Sequence, residues 1–216
     1  MRLQEQIKAL QKGFFEQTPA EVIETMQGAT QKLVDSGLAE SSLKAGDKTP
    51  DFSLPNAESK LVSSADLLGK GPLVINFYRG AWCPYCNLEL KAFQDILPEI
   101  SSLGAQLVAI SPNLPDESLS TIEKHALAFE VLSDIGNGLS RAFGLVFTLD
   151  SSLQPLYQKF GIDLEASNGD SSFELPIPAT YVVNTDGTIA LAFVDADYSK
   201  RLEPAEVVAS LRSLGH

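Results

Sequence analysis

The chain carries two cysteines, Cys83 and Cys86, three positions apart in FYRGAWCPYC (77–86). Thiols at that spacing on a helix share a face, so their sulfurs can close a disulfide with little backbone movement. The apolar run before them reads as a buried strand, and Pro84 suits the first turn of a following helix, where its missing N–H costs nothing. Cys83 would then stand at the N-cap or first position. There, unpaired N–H groups and the helix dipole lower a thiol pKa from about 8.5 into the range of about 3.5–7.5. Arg79 can add positive charge. In isolation this local pattern makes Cys83 the more exposed and more acidic thiol, with Cys86 beneath it. Zinc is a poor competitor: it takes three or four protein ligands, and the chain offers only these cysteines plus His125 and His216. Two inert buried thiols are the bland alternative, and a redox-active pair is the favoured reading.

Strands and helices must hold that loop in place. LVINFY (73–78) and QLVAISP (106–112) read as central strands, FEVLSD as a third, and ATYVVNTDGTIALAFVD as a hairpin turning at Asn184–Gly187. Helical spacing follows the cysteines through Leu88, Leu90, Phe93, Ile96, Leu97 and Ile100, with Pro98 predicting a kink or broken end. DESLSTIEKHAL and PAEVVASLRSL are further helices, the first carrying His125 on a polar surface; 148–176 is the least periodic segment. The order β-α-β-α-β, then a hairpin and a helix, specifies an α/β domain with a mixed sheet. Residues 1–43 form a separate helical extension ahead of a 44–216 domain. Leu3, Ile7, Leu10 and Phe14 make one apolar stripe, and Thr18-Pro19-Ala20-Glu21 reads as a capping box opening a second helix that stops at Gly37. The extension packs on the domain or serves as an arm for a homodimer.

The totals narrow the classes. The chain has 216 residues, 44% hydrophobic and 20% charged, so it can bury a substantial core. A net charge of −12 without a basic cluster argues against nucleic acid and anionic membranes as partners. Its apolar runs are far shorter than the ~20 residues of a membrane span, and MRLQEQIKALQK lacks a signal-peptide core, so a cytoplasmic location is expected. Two adjacent cysteines in a reducing compartment point to catalysis, sensing or metal binding rather than to a structural staple.

Trp82-Cys83-Pro84-Tyr85-Cys86 resembles the active-site motif of thioredoxin-fold oxidoreductases. The wider frame resembles the peroxiredoxins, the alkyl hydroperoxide reductase/thiol-specific antioxidant group. Gly46-Asp47-Lys48-Thr49-Pro50-Asp51-Phe52-Ser53-Leu54 matches their opening G-x-x-x-P-D-F-x-L; Asn76-Phe77-Tyr78 and Pro178-Ala179-Thr180-Tyr181-Val182-Val183-Asn184 match later strands. The likeness covers about residues 44–216 and is greatest to a subgroup with a C-x-x-C motif. It implies a thioredoxin-like fold of peroxiredoxin type, a central mixed sheet with helices on both faces. It also implies a hydroperoxide substrate, a thioredoxin- or glutaredoxin-type reductant and no cofactor.

The departures are informative. Peroxiredoxins carry Pro-x-x-x-Thr-x-x-Cys, and laid on the F-Y-x-G-A frame this puts Arg79 at the proline, Cys83 at the threonine and Cys86 at the peroxide-attacking cysteine. Their later activating arginine falls on Pro178, where thioredoxin-like proteins have a cis-proline that would abut the disulfide. Arg201 can supply the absent guanidinium if the tail folds over the site, or else it forms a surface salt bridge. Trp82 can shield the thiols or dock a partner. Local electrostatics favours attack by Cys83, the family frame favours Cys86, and both routes end in a Cys83–Cys86 disulfide reset by an external thiol. The leading expectation is a peroxiredoxin-like hydroperoxide reductase. Its rivals are a thioredoxin-like protein disulfide reductase and a redox-sensing module without turnover.

Overall fold

The computed structural model describes residues 2–215; His216 lies outside the described residues. Three helices come first: α1 (Leu3–Gln17), α2 (Ala20–Asp35) and the short α3 (Leu38–Ser41). A small antiparallel pair, β1 (Ser53–Pro55) with β2 (Leu61–Ser63), leads into α4 (Ser64–Leu68), which Ser63 caps by accepting the Asp66 N–H. The scaffold then runs β3 (Leu73–Phe77), α5 (Pro84–Ser102), β4 (Gln106–Ser111), α6 (Pro115–His125) and β5 (Glu130–Ser133). After α7 (Gly138–Ala142) come β6 (Val146–Thr148), α8 (Gln154–Lys159), α9 (Leu164–Asn168) and β7 (Glu174–Pro176). The hairpin β8 (Ala179–Val183)/β9 (Ile189–Val194) and α10 (Pro204–Ser213) end the fold.

The central sheet has the order β5-β4-β3-β8-β9. β3 runs parallel to β4 and antiparallel to β8, with Phe77 opposite both Ile110 and Ala179. Every residue of β3 is buried, as a central strand covered on both faces requires. Its alternation divides the core. Val74 joins Leu90, Phe93 and Ile100 of α5, whereas Leu73, Ile75 and Phe77 face Phe143, Leu145 and Tyr181 on the other side. The even-numbered face also carries Asn76, a polar residue buried beneath the start of α5 and donating to Thr180 Oγ1 at 3.2 Å.

Three details differ from the sequence expectations. α5 continues across Pro98 to Ser102, and Pro98 itself is exposed, so the ring finds room on the solvent side. No capping box opens α2: Thr18 closes α1, and the Pro19 carbonyl accepts the first bonds of α2 from Val22 and Ile23. His125 is half-buried in the last turn of α6 rather than on open surface.

The first helices are tied into the core. Leu3 and Ile7 are buried in the same cluster as Cys83, Leu90 and Leu211, each worth about 1.5–3 kcal/mol of burial. The first N–H groups of α1, at Leu3 and Gln4, donate to the Glu203 carboxylate at 3.2 and 2.9 Å, while Gln4 Nε2 donates to the Arg201 carbonyl at 2.7 Å. α2 is pinned by Ala29 packing on Leu149, Leu153 and Tyr157, and by Lys32 pairing with Asp150 at 2.9 Å.

Candidate active site

β3 delivers the chain through Tyr78 and Arg79 into a tight loop, and α5 begins at Pro84 with Cys83 as its N-cap. Gly80 makes the loop feasible. Its φ of 152° suits glycine, and a Cβ there would lie 2.5 Å from Trp82 Nε1 and 3.0 Å from Asn113 Oδ1. Asn113, after β4, accepts from the Ala81 N–H at 2.9 Å and donates to Asn168 Oδ1 at 2.8 Å, while Asn87 Nδ2 donates to the Ala81 carbonyl at 3.0 Å. Two of these bonds hold the Ala81 peptide from either side, and the third anchors Asn113.

Both cysteines are reduced, and the Cys86 thiol donates to Cys83 Sγ at 2.8 Å. Neither meets solvent: Cys83 is 1% exposed and Cys86 0%. The expectation of an exposed Cys83 over a buried Cys86 is corrected here, because distant aromatic side chains roof the helix end. Tyr157 stands edge-on to Trp82 and Tyr198 edge-on to Tyr85.

Electrostatics separates the two thiols. Burial opposes a thiolate at Cys83, but the hydrogen bond from Cys86 and the charges of Arg79 and Arg201 outweigh it, lowering its pKa to about 6. Burial and the neighbouring Cys83 push Cys86 well above the ordinary thiol range, with Arg201 opposing only in part. One proton shared across the pair therefore sits on Cys86.

Arg79 is buried, not a loop charge in solvent. Its guanidinium lies 4.5 Å from the centre of the Tyr198 ring, 4.9 Å from Trp82 and 5.9 Å from Tyr157, and it donates to the Tyr157 hydroxyl. Arg201 is not a surface pair either. Its Nη2 lies 3.5 Å from Cys86 Sγ, its Nε donates to Glu89 Oε2 at 2.8 Å, and Nη1 donates to the carbonyls of Lys200 (2.8 Å) and Tyr198. Arginine holds such a place because its planar fork reaches several acceptors at once and stays charged.

Glu89 was not singled out from sequence, yet it stands three residues after Cys86 on the apolar face of α5. Burial raises its pKa to about 7 in spite of Arg201. The signal was legible: one acidic residue among Cys86, Leu90 and Phe93 at helical spacing. Tyr157 and Tyr198 left no such signal, since they arrive from segments without periodicity. Trp82 is half-buried against the Arg79 guanidinium. Pro178 is buried where β7 passes into β8, and no cis peptide bond occurs among the described residues, which corrects the cis-proline expectation. The chain is extended on both sides of Pro178, and a trans bond continues that course.

The AhpC/TSA family profile matches residues 45–192. Peroxiredoxin Bcp of Escherichia coli (strain K12) is 34% identical over 103 residues, spanning 48% of this chain and 65% of that protein, which is less than two thirds of its length. The chloroplastic peroxiredoxin Q of Gentiana triflora is 29% identical over 148 residues, 68% of this chain and 58% of that protein. Among solved structures, peroxidoxin BcpB of Mycobacterium tuberculosis superposes with a TM-score of 0.62 at 23% identity, covering 79% of this chain and 97% of that one. α1, α2 and Arg201 all fall outside the family match.

Proposed function

The chain belongs to the AhpC/TSA family, and on that premise we propose that it is a thiol-dependent hydroperoxide reductase working through the Cys83/Cys86 pair. The observation that carries the reading is the 2.8 Å sulfur pair with Arg79 beside the more acidic member. The Cys83 thiolate attacks the distal peroxide oxygen, the O–O bond breaks, and the leaving alkoxide takes a proton to become an alcohol. Cys83 is then a sulfenic acid. The Cys86 sulfur attacks it, the Cys83–Cys86 bond forms, and the hydroxyl leaves with the thiol proton as water. A dithiol reductant of thioredoxin or glutaredoxin type returns two electrons and two protons.

Arg79 stabilises the attacking thiolate and, with its aromatic walls excluding water, the charge growing on the peroxide oxygens. Arg201 faces Cys86 and stabilises the sulfur that leaves when the disulfide is reduced. Arg201 beside Cys86 also supports a second reading, in which Cys86 attacks as in the family frame and Cys83 resolves. The structure of the chain contains no helix long and apolar enough to cross a membrane among the described residues. For this reading a cytoplasmic setting is proposed, and residues 1–43 are proposed as an extension that covers the 44–216 domain.

The test is stoichiometry. Reduced protein should consume one hydroperoxide and lose both thiols, and peptide mapping should place the new disulfide between Cys83 and Cys86. Thiol loss without peroxide consumption would refute the peroxidase. Insulin reduction driven by a working donor, without peroxide turnover, would favour the disulfide reductase.

A further inference from the structure

α2, outside the family match, lines a cavity of about 210 Å³. Ala29, Leu33, Phe147, Leu149 and Leu153 give it apolar walls, and Arg79 and Tyr198 line it as well. Arg79 is 4% exposed, so it lies at the deep end, while the Lys32–Asp150 ion pair, exposed and 2.9 Å across, marks the rim. The cavity thus runs from solvent along apolar side chains to the Arg79 guanidinium, whose charge acts on the Cys83 thiol. A larger cavity of about 570 Å³ lies between α1 and α2, but it meets the site only through the rings of Tyr85 and Tyr198, and glutamines 11, 27 and 31 line it.

We propose that the smaller cavity binds the apolar group of an organic hydroperoxide, with the peroxy oxygens turned toward Arg79 and Cys83, so that α2 sets the substrate preference. This rests on the peroxidase reading above and adds where the non-reacting part of the substrate sits. Hydrogen peroxide has no apolar group to bury and gains nothing from Leu33 or Leu153. An alkyl or aryl group excludes water from both and holds the O–O bond beside the thiolate. Arg79 is the cation at the deep end of the lining, whereas Lys32 is paired with Asp150 at the rim, so the polar end of the substrate is drawn inward.

The residue to vary is Leu33, which lines the cavity, is half-buried and touches neither cysteine. The full-length protein is assayed with cumene hydroperoxide and with hydrogen peroxide, and the readout is the ratio of their kcat/KM values. Leu33→Phe fills the cavity and should lower the ratio about tenfold. Leu33→Ala widens it and should raise the ratio for hydroperoxides bulkier than cumene hydroperoxide. It also serves as the second probe if Leu33→Phe lowers thermal stability. A ratio within threefold of wild type in every folded variant, or a rise in Leu33→Phe, overturns the assignment while leaving the peroxidase intact. Wild-type protein inert to both peroxides overturns the peroxidase reading itself.

Discussion

Replacing Arg79 by glutamine removes the buried charge that most lowers the Cys83 pKa while keeping a planar polar end between Trp82 and Tyr198. With a pKa of about 6, Cys83 is about nine tenths thiolate at pH 7 and about one quarter at pH 5.5. A neighbouring opposite charge moves a thiol pKa by about 1–3, and a shift of about 1.5 would put the variant near 7.5. The thiolate fraction then falls to about one quarter at pH 7 and about 1% at pH 5.5. The sign follows from the thiolate being the reactive form: reactivity is full above the pKa and lost below it. Pseudo-first-order alkylation by iodoacetamide, followed by mass spectrometry on peptides containing Cys83, reads this directly. The variant should be about fourfold slower at pH 7 and more than twentyfold slower at pH 5.5, and should converge on wild type above pH 9. A deficit that is the same at every pH would refute the electrostatic role and leave Arg79 as a packing element.

Three further outcomes follow from the packing around the pair. Arg201→Met leaves Glu89 buried without its partner, and a broken buried ion pair costs about 3–5 kcal/mol; urea melts should show it at pH 8 and a smaller loss at pH 5, where Glu89 is protonated. Glu89→Gln removes a carboxyl whose raised pKa makes folding less favourable as pH climbs from about 4.5 to about 7, so the variant's stability should vary less across that window than wild type's. Gly80→Ala forces a Cβ to within 2.5 Å of the Trp82 indole at a φ of 152°, and should lower stability by about 1–3 kcal/mol with a shift in tryptophan fluorescence; an unchanged melt and spectrum would contradict the loop account.

Much of the scaffold was readable because local chemistry and tertiary context agree. LVINFY is apolar throughout since both faces of β3 are covered, and Asn184-Thr185-Asp186-Gly187 turns a hairpin whose strands pair as the pattern implies. Pro98 misled because its ring lies on the exposed side of α5. Thr18 misled because proline's extended ψ of 141° moved the helix start one residue on. The position of Cys83 at the head of α5 was legible, but its burial was not. Nothing in FYRGAWCPYC signals that Tyr157 and Tyr198 close over it, because those rings come from segments about seventy and more than a hundred residues away. Arg201 was legible only as a conditional, since which charge enters the core depends on how the tail packs on α1 and α5.

The order of attack is the centre of the account, and trapping of sulfenic acid decides it. Cys86→Ser and Cys83→Ser proteins, each with one thiol, are mixed with hydroperoxide in stopped flow and quenched into dimedone. Rapid dimedone labelling of Cys83 is expected in Cys86→Ser, at least about a hundredfold above a free thiol, and slow labelling of Cys86 in Cys83→Ser. Rapid labelling of Cys86 alone would contradict it and give the attack to the thiol beside Arg201.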